Sequence, residues 1–443
     1  MAAAPDPIPN RAAVTETLDE PVELSLGDFD SHGVTRARVA QRWLEVEQGI
    51  PGEVVSARVT TGKRPQGRII EVLKAATDRV APPCEYFRDW KCGGCQWQHI
   101  SYEGQIRRKR ESVDAQMASA GIDVRVGQVH TEEPWRYRST AGVALGRHAG
   151  FRRRASLAIV PIRDCPISHP LIGKLMATLN DQLQAGSIPD FHGRLRLDVR
   201  VLQSPRDGAR MQVMVRPDQH RRPPAEDVEI LLKALSDLEF VEQLAFTLIT
   251  GEIELVRGDL FGTIEVAGRS VELVSGSFFQ TNLKLLPSLI DRLLEEAGEL
   301  KGKRIADVYG GVGIFGLFLA EHARDVAVVE SDPLAIQAGE RTAKAWGISH
   351  VRFLTGRAED VLEGDGPYEV VVLDPPRTGL SDEVTNLLIA QKPERILYVS
   401  CLAQSLARDL TAFITAGYQV ESLELFDFYP HTYHVELLAV LKN

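Results

Sequence analysis

No stretch of the 443 residues is an unbroken apolar run of the roughly eighteen that a membrane-spanning helix needs. The opening MAAAPDPIPNRAAVTETLDE lacks a basic start followed by an apolar core, so no signal peptide is expected. It is rich in Pro and Ala with little to bury, and residues 1–20 are expected to form a flexible tail. These absences favour the cytoplasm and give no reason to expect a membrane partner. The chain also lacks excess positive charge: 51 Lys+Arg against 61 Asp+Glu leave a net charge of −10, which argues against a generally basic, adhesive protein. Cysteine is scarce. Five is an odd count, and the spacing does not suggest secreted-type bridges.

Local charge differs from the total. Between Ala81 and Cys165, 14 Lys/Arg stand against 9 Asp/Glu, clustered as Arg107-Arg108-Lys109-Arg110 and Arg152-Arg153-Arg154. A localised patch is enough for phosphate contacts, and a solvated helix face with a basic turn would look the same.

At this length two or three domains with full cores are expected. Residues 21–77 read as a small β-barrel of the OB-like kind. Short alternating strands such as Val22–Leu26, Glu53–Val59 and Gly67–Leu73 surround turn signals at Gly27-Asp28, His32-Gly33, Pro51-Gly52 and Gly62-Lys63. Residues 78–270 read as a mixed α/β middle domain. It has alternating patterns at Arg196–Leu202 and Met211–Val215 and a helical stretch over Ala225–Leu238. From about Val271 to residue 443, short apolar strands alternate with helices. They are expected at Arg304–Val308, Val326–Glu330, Val351–Leu354, Val370–Asp374 and Ile396–Ser400, which predicts an α/β, doubly wound, Rossmann-like parallel sheet. The tail segments Gln419–Leu425 and His434–Leu441 leave no room for a helix between them and are expected to pair antiparallel at the sheet's end.

Chemistry-bearing residues fall at the strand ends, where ligands bind in open α/β sheets. Cys401 follows a buried strand and precedes a helical stretch, whose N-terminus could help a thiolate form. Asp307-Val-Tyr309-Gly310-Gly311-Val-Gly313 is a glycine loop between a strand and a helix, the kind that lets backbone approach a nucleotide. NAD enzymes use similar loops. Glu330 ends the next strand at the spacing of a ribose-binding carboxylate, and the prolines of Asp374-Pro-Pro-Arg377 make a rigid loop that aims Asp374. Together these fit an S-adenosylmethionine methyltransferase better than a dehydrogenase. Cys84, Cys92, Cys95 and Cys165 form a further set. Four thiolates can hold a [4Fe–4S] cluster or zinc, and a single CxxC with two outlying cysteines looks more like a cluster; buried or free thiols are the plain alternative.

The combination of Ser277-Phe-Phe-Gln280-Thr-Asn282, Asp307–Gly313, Asp374-Pro-Pro-Arg-Thr-Gly379, Val399-Ser-Cys401 and His434-Val-Glu436 closely resembles the RNA 5-methyluridine (uracil-C5) methyltransferases of the TrmA/RumA type. The resemblance runs from about Leu24 to the C-terminus. It implies a TRAM domain for the barrel, with Pro51-Gly52-Glu53, and a [4Fe–4S] cluster on the four cysteines. It implies Cys401 as nucleophile, Glu436 as base, and Gln280, Tyr309, Gly311, Glu330 and Asp374 as S-adenosylmethionine contacts. The implied partner is RNA, with large-subunit (23S) rRNA favoured over tRNA because barrel and cluster go with the rRNA enzymes, and the protein is expected to be a monomer. Two departures stand out. Leu402-Ala403 follows the nucleophile where the family usually has Asn-Pro, which leaves a non-catalytic RNA-binding factor as a competing reading. Arg357 stands where such enzymes place an acidic or amide residue for adenine, so it is not assigned to the cofactor. An iron–sulfur redox protein is a third reading, which leaves the cofactor loop unexplained.

Overall fold

The computed structural model describes residues 20–443 apart from residue 40 and residues 61–64, 90–91, 205–207, 218–221 and 249. The tail expected over 1–20 lies outside these except for Glu20, as does the turn expected at Gly62-Lys63. The chain divides into two compact units. One comprises Met1–Pro83, Cys95–Gln105 and His431–Tyr433; the other comprises Cys84–Gly94, Ile106–Pro430 and His434–Asn443.

In the first unit five strands follow the order Val22–Ser25, Val54–Thr60, Gln66–Lys74, Arg42–Val46 and Thr35–Val39, curling into a small, nearly closed barrel. Alternation fills it: Leu24, Ala37, Leu44, Val46, Val55, Ala57 and Val59 point inward while Arg36, Arg38 and Arg58 face solvent. A Cβ on Gly67 would come within 2.8 Å of Leu44 Cδ1, so the interior needs glycine there. Glu53 of the Pro51-Gly52-Glu53 corner is fully buried. Its carboxylate accepts from Arg79 Nε at 2.5 Å and Nη2 at 2.6 Å, and from the Ile50 and Ala76 amides.

The second unit contains two large sheets. Seven strands, in the order Ile253–Arg257, Val241–Thr247, Gly208–Pro217, Leu195–Ser204, Thr140–Leu145, Ala149–Arg152 and Ile159–Pro161, build the middle sheet. Helices Pro170–Gln184 and Ala225–Ser236 pack on it.

The other sheet has eight strands. Val351–Thr355, Asp325–Glu330, Arg304–Val308, Val370–Leu373 and Arg395–Ser400 run parallel. The inner four are almost continuous apolar runs buried on both faces, whereas the edge strand Val351–Thr355 is only half-buried. Glu436–Lys442 then pairs antiparallel with Arg395–Ser400, followed by Gln419–Phe426. The expected antiparallel tail pair is present, but it is not the sheet's edge. Val129–His130, from within the stretch read as middle domain, adds beside Gln419–Phe426. Val113, Met117, Ile122 and Val126 likewise join the core under this sheet. The middle domain expected over 78–270 therefore gives residues 113–130 to the methyltransferase-like layer.

Lys109 forces a related correction. Expected in a basic patch, it is fully buried, and its Nζ donates to Asp427 Oδ1 at 2.6 Å and to the Tyr429 carbonyl at 3.0 Å. Arg107 and Arg110 of the same run are exposed.

Candidate active site at the carboxyl edge of the sheet

Parallel strands bring their carboxyl ends to one edge. The loops after Arg304–Val308, Asp325–Glu330, Val370–Leu373 and Arg395–Ser400 therefore converge, and they carry Tyr309–Gly313, Glu330, Asp374 and Cys401. Glu436 arrives from the opposite direction. The antiparallel register ends on Ser400 against Leu437, which brings Glu436 to the end of the strand that Cys401 follows, and the Cys401 thiol feels its charge.

Tyr309 takes a left-handed backbone (φ 62°), as do Gly311 (57°) and Gly313 (77°). For a tyrosine this is costly and marks a constrained loop. A Cβ on Gly313 would press on Val328 at 3.0 Å, so glycine lets the loop sit close on the next strand. Glu330 secures the other side: its carboxylate accepts from the amides of Gly311 (3.1 Å), Ser331 (2.6 Å) and Asp332 (2.9 Å). Beneath the loop Asp307 is fully buried and accepts from the Gly316 amide at 2.7 Å. Burial, with the charge of Glu330 nearby, pushes its carboxyl up to about 7.

Phe279, Gln280, Tyr309, Gly310, Gly311 and Asp374 line a narrow cleft above this loop. Gln280 does not cap a helix. It is buried, its side chain donates to Asp374, and its Oε1 has no hydrogen-bond partner. Burial chiefly, then Asp307, pushes Asp374 up to about 7, against the Gln280 hydrogen bond. The middle sheet fixes this segment. Ser139 donates through its amide (2.9 Å) and Oγ (2.8 Å) to the Thr281 carbonyl, and buried Arg200 donates to the carbonyls of Val274 (2.9 Å) and Ser277.

Cys401 is half-buried. Burial first, then the carboxyls of Glu436 and Asp374, raise its thiol to about 11, while the Arg377 guanidinium pulls the other way. A helix does begin at Ala403, but its capping residue, Leu402, supplies no side-chain bond. Ser400 Oγ substitutes by bonding the Leu402 amide at 3.3 Å. The helix alone therefore does not lower the thiol as expected. Glu436 does not face solvent at a strand mouth. It is 2% exposed, Oε1 has no partner, and burial followed by Asp374 raises its carboxyl well above the ordinary range. The arrangement offers a thiol and a proton-accepting carboxyl on adjacent strands, next to a cleft with unsatisfied polar atoms.

The remaining expectations are placed as follows. Arg357 stands at the N-cap of the helix Ala358–Gly364, pairs with Glu359 and is exposed. Cys84, Cys92 and Cys165 sit in the second unit, and Cys95 is assigned to the first. Burial chiefly raises Cys84 and takes Cys92 to about 11, and each of the two feels the charge of Cys165. The Gly94 amide donates to Cys92 Sγ at 3.4 Å. Among the described residues, no three or more His, Cys, Asp or Glu side chains are gathered so as to hold a metal ion. Nor is any helix there long and apolar enough to cross a membrane. Two site residues were missed from sequence. Arg377 lay inside a motif already singled out, and Tyr429, in electrostatic reach of Cys401, Glu436 and Asp374, gave no local signal.

Comparison with known proteins matches this architecture. Residues 355–443 match the family described as tRNA (uracil-5-)-methyltransferase, and residues 286–397 match the methyltransferase small domain. An uncharacterized RNA methyltransferase of Halalkalibacterium halodurans is 30% identical over 446 residues, covering 95% of this chain and 96% of its own. One of Streptomyces avermitilis is 31% identical over 450 residues, covering 96% and 99%. The fold matches the crystal structure of Pyrococcus abyssi tRNA (uracil-54, C5)-methyltransferase in complex with S-adenosyl-L-homocysteine, with a TM-score of 0.74 and 23% identity over 94% of this chain and 99% of that one. The chain belongs with these relatives among the RNA methyltransferases.

Proposed function

We propose that this protein methylates carbon 5 of uridine in RNA at the expense of S-adenosylmethionine, with Cys401 as nucleophile and Glu436 as base. The observation that carries the reading is a half-buried thiol, just past the end of one strand, within the charge reach of a buried carboxyl at the start of the neighbouring strand, whose Oε1 has no partner. The cleft residues fit the cofactor. The unpartnered Gln280 Oε1 can accept from its polar groups, Tyr309, Gly311 and Asp374 complete the wall, and Glu330, which holds the Gly311 amide beside the cleft, is the carboxylate assigned to the ribose. Bound S-adenosylmethionine supplies the methyl group as an electrophile.

The chain's own groups do the rest. Carbon 5 of uracil is too weak a nucleophile to take a methyl group directly. The Cys401 thiolate adds to carbon 6, and the electron pair of the 5,6 double bond moves to carbon 5 as an enolate. That carbon would take the methyl group as the methyl's bond to the sulfonium sulfur breaks, with S-adenosylhomocysteine as the leaving group. Glu436 then removes the carbon 5 proton, the double bond re-forms, and the carbon–sulfur bond breaks to return the thiolate. Glu436 accepts that proton in its ionised form, and the burial that raises its carboxyl makes the ionised form a stronger base. The uracil must leave its stack to reach this edge, which favours looped or single-stranded RNA.

Large-subunit rRNA is the favoured substrate, supported by the barrel and the cysteine set. The second reading is tRNA, favoured by the description of the matching family and of the Pyrococcus enzyme. We assign Cys84, Cys92, Cys95 and Cys165 to a [4Fe–4S] cluster on the strength of their spacing. The charge of Cys165 felt at Cys84 and Cys92 supports it, the lack of a gathered metal set among the described residues does not, and no chemical step is routed through it.

The test is methyl transfer by protein purified without oxygen, using unmodified rRNA and tRNA transcripts and mass spectrometry of the nucleosides. 5-Methyluridine from one transcript identifies the substrate class. Its absence with S-adenosylmethionine bound favours the non-catalytic reading and points to Leu402-Ala403. Glu436→Gln should accumulate a Cys401–RNA adduct that survives a denaturing gel, and no adduct would count against the assigned pair.

A further inference from the structure

Beside the cofactor cleft, and sharing Phe278 and Phe279 with it, lies a second and larger cleft of about 400 Å³. That volume suits a nucleotide-sized group. Its floor is one face of the middle sheet. Along Leu195–Ser204 the residues Leu195, Leu197, Val199 and Val201 are buried on one side, which turns Arg196, Asp198 and Arg200 to the other. Register sets Gly142 and Met214 beside Asp198, and Arg216 beside Arg196.

The arginines are held in a fixed pose. Asp198 accepts from Arg196 Nε at 2.5 Å and from Arg216 Nε at 2.6 Å, and one carboxylate thus orients two guanidinium groups. A Cβ on Gly142 would come within 2.7 Å of Arg196 Nε, so the glycine makes room for that guanidinium to lie across the floor. The Arg196 side chain is 65% exposed and lines the cleft. Deeper in, Arg200 is buried, and its Nε has no hydrogen-bond partner. Arg138, Arg196 and Arg200 thus face the cleft against a single acid, Asp198, which is itself neutralised by two arginines. Tyr429 lines the same cleft and reaches Cys401 and Glu436 electrostatically, so the cleft leads to the reaction centre.

We infer that this cleft is an RNA phosphodiester subsite, in which Arg196, braced by Asp198 and Arg216, grips the backbone next to the target uridine. The inference rests on the uridine methyltransferase reading for its position and on charge and shape for its ligand. A pre-oriented guanidinium is suited to bidentate contact with phosphate oxygens, and such a contact contributes to affinity without reading sequence.

The test measures binding and chemistry separately. Fluorescence anisotropy of labelled oligouridylate gives Kd against salt, and methyl transfer to the substrate transcript gives kcat and KM. Arg196→Gln should raise Kd and KM about tenfold and reduce the log–log salt slope by about one, with kcat and S-adenosylmethionine affinity unchanged. Arg196→Lys should recover part of the affinity. An unchanged Kd and slope in Arg196→Gln overturns the subsite, as does a loss confined to kcat. If wild type transfers no methyl group yet binding still depends on Arg196, the uridine reading fails and the subsite stands.

Discussion

Reaction of Cys401 with a small disulfide reagent should have an unusually alkaline pH profile. The thiol is raised from 9.0 to about 11, chiefly by burial and then by the Glu436 and Asp374 carboxyls. At pH 8 the thiolate is then about one part in a thousand, against about one in ten for an ordinary thiol. A more basic thiolate is also the better nucleophile. With a Brønsted slope of about 0.4–0.5, close to tenfold of that hundredfold deficit returns, leaving exchange about tenfold slower than for a free thiol. Steric shielding could slow the reaction too, so the decisive quantity is the shape of the curve. The rate should climb steadily from pH 7 through pH 10. Arg377→Gln removes the cation that opposes the shift and should slow exchange further at pH 8. Peptide-resolved mass spectrometry isolates Cys401 from the other four cysteines, with glutathione as the reference thiol. A plateau below pH 9 would refute the electrostatic account and imply that the resting site already stabilises the thiolate.

Two further substitutions probe the frame. Lys109→Met leaves Asp427 without the cation it is buried against and should cost about 3–5 kcal/mol in urea unfolding, with much of that recovered by adding Asp427→Asn; additive losses would deny the pair. The Asp307 carboxyl sits near 7 in the fold, above its ordinary 3.8, so its contribution to stability is complete below about pH 4 and is lost as pH rises through about 7. Asp307→Asn keeps an oxygen for the Gly316 amide and removes the charge. It should melt above the parent at pH 8, with the gap closing toward pH 4, and a constant gap across that range would rule out titration as the cause.

Local pattern made the cofactor edge legible. Apolar runs followed by Asp307–Gly313, Glu330, Asp374 and Cys401 mark strand ends whichever sheet they join, because a strand covered on both faces must be apolar and its functional residues must lie just beyond it. The barrel was readable for a similar reason, since alternation and turn residues act over a few positions. The basic run at Arg107–Arg110 misled because sequence does not say which of four adjacent cations turns inward. Lys109 does so because Asp427, 318 residues away, meets it there.

The sequence by itself determined which residues could carry thiol addition and hold the cofactor, and the period-2 and helical patterns that build each layer. Only tertiary structure decided that buried Glu436 comes within charge reach of half-buried Cys401, that Val129–His130 joins the C-terminal sheet, and that Arg196 and Arg216 share Asp198 on a cleft floor. Each of these depends on how strands pair in register, in one case strands almost 300 residues apart. A one-residue slip in pairing would turn every such side chain to the opposite face, and no local stretch of sequence records that choice.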